Sequence, residues 1–245
     1  SSICNDSNWG SSLHDPEFHG IIWGNEDSSA QKYAERSGYD FIATPQTPDS
    51  LSNFLLKVCN DHAELISAKK YVSGDVEIPS EYEGKPVTVI GKGAFLGRAD
   101  IRSVTIPDTV TEIGDSAFYG CSRIKKIELP DSVVSIGKYA FGGCVQLAKI
   151  NVPAGVEQLT GTFCGCDSLY IVELNNGLSV IGDRTFNGCT ALTNIRLPVT
   201  VTKIGTAAFA CSGIRNIVIP AAVSEIGQGA FYLCPDLFGV TIEDE

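Results

Sequence analysis

The chain predicts a β-rich α/β solenoid, in which short coils of backbone stack in register and their strands pair in parallel. Three observations carry that expectation. Phenylalanine recurs at Phe95, Phe118, Phe141, Phe163, Phe186, Phe209 and Phe231, at steps of 23, 23, 22, 23, 23 and 22 residues. Two apolar rows keep the same period: Ile106, Leu129, Val152, Leu174, Leu197, Ile219 and Ile242, and Val104, Ile127, Ile150, Val172, Ile195, Ile217 and Val240. Pro and Gly punctuate each unit at fixed places. An internal repeat of this length is the signature of a solenoid whose units bury their apolar sides only against their neighbours.

The unit from Cys121 justifies each element in turn. Ile124, Ile127 and Leu129 are inward positions, the last two alternating as a strand requires. Pro130 ends the strand because it has no ladder donor. Val133 and Ile136 form a second apolar stretch, and Gly137 stands where the turn is expected to need a positive φ. Ala140-Phe141 then turn inward through a helix-like corner before Cys144 starts the next coil. The unit after Val152 is one residue short and carries Leu159-Thr160-Gly161 in place of Ile-Gly, so its turn is expected to differ. Asn175 replaces the usual Pro, and Cys211 follows its Phe one residue early.

Before the repeats, residues 54–68 read as two alternating strands around an Asn60-Asp61 turn, running into a first coil at 76–91 with a five-residue insertion. Residues 20–44 read as strand, helix and strand. Ser28 and Gln31 supply a capping box, and Gly38 supplies a stop. Thr44 to Ser50 holds two prolines and reads as a linker. The expected division is a small module at 1–44, a linker at 45–53, a capping hairpin and first turn at 54–89, and about seven coils at 90–245.

The spacing L-x-x-I-x-I-P-x-x-V-x-x-I-G-x-x-A-F-x-x-C, legible at 124–144 and 192–211 and in most of 214–234, resembles the BspA-like (Treponema-type) leucine-rich repeat family. The resemblance implies a right-handed leucine-rich-repeat coil with a parallel concave sheet and an N-terminal β-hairpin cap, beside the small α/β N-terminal segment. It also implies an exported or cell-surface, adhesin-like role in bacteria. Segment 20–44 resembles the tail with which such arrays end. A tail in front of a head predicts a piece cut from a tandem series.

Composition narrows function by exclusion. A 43% apolar and 19% charged chain suits a well-cored soluble protein. A net charge of −11 argues against nucleic acid or an anionic membrane as partner. Residues 1–50 hold eight Asp/Glu against two Lys/Arg, net −6, which leaves −5 for the rest. No apolar run reaches the roughly 18–20 residues that span a bilayer, so membrane insertion is not expected.

Candidate chemistry is sparse. Cys121, Cys144, Cys166, Cys189, Cys211 and Cys234 share one repeat position and could form a metal or disulfide ladder. Buried thiols acting as small hydrophobes are the simpler reading, because a straight row cannot converge on a tetrahedral metal. Cys4 and Cys59 lie outside that row and could pair. The only histidines are His14, His19 and His62, so the repeats cannot build a Ser–His or Cys–His nucleophile. No phosphate loop, dinucleotide or hydrolase fingerprint appears. No enzyme, cofactor or metal is therefore expected.

What remains is the outward face of the strands. There Tyr170 and Ile171 are bulky and adjacent in mid-array, flanked by Lys126, Lys149, Glu173, Asn194 and Arg196. Aromatic and Arg side chains are favoured binding anchors, which makes this patch the candidate contact for an extracellular protein or glycan. A structural spacer, or an accessory module of a larger secreted enzyme, stays open as the alternative.

Overall fold

The computed structural model describes residues 22–24, 32, 36, 41–43 and 53–244. The chain divides into two compact units, Ser1–Asp49 and Ser50–Glu245. In the first unit β1 (Ile22–Gly24) pairs in parallel with β2 (Phe41–Ala43), and Lys32 and Arg36 between them are helical. The capping residues read at Ser28, Gln31 and Gly38 lie outside the described residues, as do His14, His19 and Cys4.

The second unit is a solenoid. It opens with the antiparallel hairpin β3 (Phe54–Val58) and β4 (Ala63–Ala68), closed where the Cys59 N–H donates to the His62 carbonyl at 2.8 Å. The insertion in the first coil is itself a hairpin. After β5 (Gly74–Glu77), β6 (Glu81–Tyr82) turns back on β7 (Lys85–Ile90), with Glu83 and Gly84 at φ 49° and 74°. Two consecutive positive φ values are what a tight hairpin turn demands, and Gly supplies one of them without strain.

One parallel sheet follows the expected strand row. It runs through β5, β8 (Ile101–Thr105), β10 (Lys126–Glu128), β12 (Lys149–Val152) and β14 (Ile171–Leu174). Lys126 is in register with Ser103 and Lys149, and Lys149 with Ile171. The expectation of a strand in the next coil fails: residues 192–198 form none, and the sheet resumes only as the pair β17 (Asn216–Ile219) and β19 (Gly239–Ile242). Ile195 and Leu197 nevertheless stay buried. The inward rows hold the coil in place without a complete backbone ladder.

A second parallel sheet goes beyond the sequence expectation. The stretch read only as apolar forms two-residue strands, β9 (Glu112–Ile113) and β11 (Ser135–Ile136), which continue from β7. Beyond a break, β13 (Gln158–Leu159), β15 (Val180–Ile181), β16 (Lys203–Ile204) and β18 (Glu225–Ile226) make another set. The break falls between Ile136 and Gln158, at the entry to the coil whose turn is one residue short, although the ladder itself is kept across the short step from Leu159 to Ile181.

Between the sheets lies the core. Phe95, Phe118, Phe141, Phe163, Phe186 and Phe209 are fully buried and stack with centroids 4.8–5.8 Å apart and planes within 16°. Burying one such ring is worth about 1.5–3 kcal/mol, so the ladder as a whole is a major source of stability. Phe54 of the hairpin closes its N-terminal end edge-on at 6.1 Å.

Three expectations about the turns need correction. The corner before each Phe is not helical but a chain of tight turns. Its N–H groups alternate between the carbonyl three residues back (Gly142 to Tyr139, 3.0 Å) and the next coil (Phe118 to Ala140, 2.7 Å). Gly137 does not have a positive φ. It is Gly because a Cβ there would overlap the backbone nitrogen of Asp115 in the coil below, and Gly205 meets Asp183 in the same way at 2.5 Å. The left-handed backbone sits two residues later, at Ser116, Tyr139, Arg184 and Ala207. A further left-handed row lies two residues after each Phe and is Gly from Gly97 to Gly188. Cys211 enters that second row with φ 57° and is exposed, while Ser212 takes the buried sulfur position. The one-residue early cysteine is thus a substitution of the turn glycine, and it is not a member of the row.

Candidate contact surface

The concave sheet presents the candidate residues, and their surroundings differ along its length. Toward the N-terminal end several polar groups pair with one another, while Arg102 and Lys125 are exposed and form no ion pair among the described residues. Ser103 donates to Asp75 at 2.7 Å, Lys126 Nζ lies 2.6 Å from Glu128 Oε1, and Lys149 Nζ lies 2.8 Å from Glu173 Oε1. The Lys126 ammonium, by hydrogen bond and charge, holds the Glu128 carboxyl below the usual carboxylate range. Lys126, Lys149 and Ile171 stand in one register row on neighbouring strands.

From Tyr170 onward the face changes. Tyr170 is 55% exposed, Val218 47% and Phe238 78%, and Ile171 is also open to solvent. Asn194 and Arg196 are exposed on the coil that forms no strand, so the structure gives them no ladder register with Ile171 and Glu173. Among the described residues neither Arg196 nor Arg215 takes part in an ion pair. Arg215, Pro235, Asp236, Leu237 and Phe238 line a recess of about 460 Å³. Arg215, Val218 and Phe238 occupy outward strand positions by the repeat spacing alone, which does not single them out. The signal for Val218 and Phe238 is an apolar residue in an outward row, whereas Arg215 has none, because Arg102 already stands in its row.

The cysteine row serves the interior. Cys121, Cys144, Cys166, Cys189 and Cys234 each donate to the carbonyl of the Phe one coil below, at 3.0–3.2 Å. Burial pushes the Cys121 thiol up to about 12 and raises Cys144, Cys166 and Cys189 further. Such thiols are poor nucleophiles and poor metal ligands. Among the described residues no three His, Cys, Asp or Glu side chains converge as a metal site, and no helix is long and apolar enough to cross a membrane.

Comparison with known proteins agrees with this architecture. The profile of the BspA type leucine rich repeat region matches residues 88–161 and 159–245, in six copies. Three solved structures share the fold. The leucine-rich repeat protein of T. pallidum is 29% identical over 81% of this chain and 81% of its own, with a TM-score of 0.61. A leucine-rich repeat protein of Bacteroides ovatus is 25% identical over 78% and 64%, with a TM-score of 0.54. A leucine-rich cell-surface protein of Faecalibacterium prausnitzii is 26% identical over 77% and 74%, with a TM-score of 0.52. No curated protein sequence matches the chain significantly. The profile covers well over half of the chain, in register with the stacked coils described above, and the chain belongs to the BspA-type leucine-rich repeat family.

Proposed function

We propose that the chain is a non-catalytic binding module of an exported or cell-surface bacterial protein, and that its concave sheet takes an extracellular protein ligand. Rigid stacked coils offer a preformed surface, so little ordering cost opposes association. The observation that carries the reading is the change along the concave face. Tyr170, Val218 and Phe238 are exposed on the same stretch as Arg196 and Arg215, which form no ion pair among the described residues. Exposed aromatic and Arg side chains are what interface cores are enriched in, whereas exposed Lys–Glu pairs are typical of solvated faces. Tyr170, Ile171 and Arg196 form the centre of the proposed contact, with Asn194 beside them. Lys126, Lys149 and Glu173 form its rim.

The test is a solid-phase screen against extracellular-matrix proteins, with a glycan array alongside. Tyr170→Ala combined with Arg196→Ala is expected to weaken any saturable ligand at least tenfold, since two interface anchors are worth upwards of about 1.4 kcal/mol. Its melting curve is expected to stay close to that of the parent. Unaltered affinity in the double variant removes the concave-patch reading. No saturable ligand at all favours the spacer, and a glycan-only response changes the ligand class.

A further inference from the structure

We propose that Asn176-Gly177 is a site of spontaneous succinimide formation and deamidation, while the chain's other Asn-Gly step, Asn187-Gly188, is protected by the fold. This inference is independent of the binding reading. The two steps are the only Asn-Gly pairs in the sequence, and their surroundings are opposite.

Asn176 is exposed on the turn that follows β14. The backbone N–H of Gly177 makes no hydrogen bond among the described residues; the turn is closed instead by the Leu178 N–H donating to the Asn175 carbonyl at 3.2 Å. The nucleophile of the reaction is therefore free, and Gly adds no side chain to shield it. The Gly is imposed by the stacking, because a Cβ at position 177 would overlap the Ala154 carbonyl oxygen of the coil below. Asn187-Gly188 has the same dipeptide in a held conformation. Gly188 has φ 75°, its N–H donates to the Ala210 carbonyl at 2.8 Å, and Cys164 Sγ lies 3.8 Å from Asn187 Oδ1.

In the reaction the Gly177 nitrogen loses its proton to solvent base and attacks Cγ of Asn176. A Cγ–N bond forms, the Cγ–Nδ2 bond breaks, and ammonia leaves with a proton taken from solvent. Water then adds to either carbonyl of the five-membered imide and opens it to aspartate or isoaspartate. One water enters and one ammonia departs, with no oxidation or reduction. The aspartate product suits this turn, since Asp108 and Asp131 stand at the equivalent place in two other coils. Isoaspartate inserts an extra methylene into the backbone of a turn that is packed against the coil below.

The experiment is to age the folded chain at mildly alkaline pH and map its peptides by chromatography and mass spectrometry. The readouts are the mass gain of amide-to-acid conversion and the separated isoaspartyl peptide. Asn176 is expected to convert, with isoaspartate present. Asn187 is expected to convert on the order of tenfold more slowly or less, because its nitrogen must first break a native hydrogen bond by local opening. In concentrated urea the two rates should converge, and Asn176→Gln should abolish the conversion at that position. An unconverted Asn176, an Asn187 that reacts as fast in the folded chain, or rates that stay unequal in urea would each overturn the proposal.

Discussion

The two ends of the concave face are built on the same interior and carry different exteriors. Beneath both, isoleucine, valine and leucine fill equivalent inward rows, and the Phe ladder runs without a gap from Phe95 to Phe209. Above the first strands two Lys–Glu pairs lie within the sheet, Lys126 with Glu128 and Lys149 with Glu173, beside Arg102 and Lys125, which form no ion pair among the described residues. Above the later ones, Tyr170, Val218 and Phe238 are bare. The repeat fixes the inward positions because each must fit its copy in the next coil. The outward positions carry no such constraint, so specificity can differ between coils without disturbing the stack.

The largest effect that could break the comparison is a hole in the shared interior. Phe118→Ala under the paired half and Phe186→Ala under the bare half should each cost about 3–5 kcal/mol, because both rings are fully buried between two stacked neighbours. Urea midpoints would measure this. Phe231→Ala, at the half-buried end of the ladder, should cost clearly less. A large difference between the first two variants would mean that the halves do not share one core.

Next in size are the glycines of the close approach. Gly137→Ala and Gly205→Ala press a methyl into the backbone of the coil below, which should cost about 1–3 kcal/mol in either half. Gly97→Ala has open space around it but φ 69°, so it should lose only the left-handed penalty of roughly 1–2 kcal/mol. Equal costs in all three by thermal melting would show that stacking distance is not what selects Gly in the Ile-Gly pair.

How far these features can be read in advance depends on whether they repeat. The period exposes the Phe ladder and both inward rows, because a residue type held in register through seven copies has few explanations other than packing. Gly137 misleads because positive φ and close backbone approach select the same residue, and only the neighbouring coil distinguishes them. The second sheet escapes because two residues, such as Ser135-Ile136, are too few for alternation to register. The missing strand at 192–198 has no sequence signature, since Leu192, Ile195 and Leu197 keep the full pattern. The contact patch is legible only as an interruption of repetition. Tyr170 and Ile171 stand out for that reason, and Arg215 with Phe238 escape because they lie in different coils of one outward row.

A smaller effect distinguishes the thiols of the row from its serine. Each buried Cys binds its proton more tightly folded than unfolded, where the pKa is about 8.5. Between that value and the folded pKa, about 12 for Cys121, the unfolded chain has released a proton that the folded chain keeps. Stability is therefore full below about pH 8.5 and falls as pH rises, by up to roughly 1.4 kcal/mol per pH unit for each such thiol. Urea midpoints between about pH 8 and 10.5 would read the slope. Cys121→Ser, which copies the natural Ser212, should reduce the slope by one thiol's share, since Cys144, Cys166 and Cys189 keep theirs, while retaining a donor for the Phe95 carbonyl. An unchanged slope would assign the alkaline loss to tyrosine and lysine titration instead.

The smallest effect sharpens the comparison most, because it asks whether the paired half is inert. Lys149 and Glu173 are each about half exposed, and such a pair is worth only about 0–1 kcal/mol in water. Glu173→Gln should therefore leave the melting temperature almost unchanged. It also frees Lys149 next to Ile171, its register partner on β14, and so extends the unpaired cationic surface toward the N-terminal strands. If the ligand is recognised by unpaired cations beside exposed apolar groups, this variant binds as well as the parent or slightly better, and its affinity becomes more sensitive to salt. A loss of binding comparable to that of the Tyr170 and Arg196 double variant would instead make the ion pair itself part of the recognised surface, and the contrast between the two halves would describe their charge balance without marking where the ligand sits.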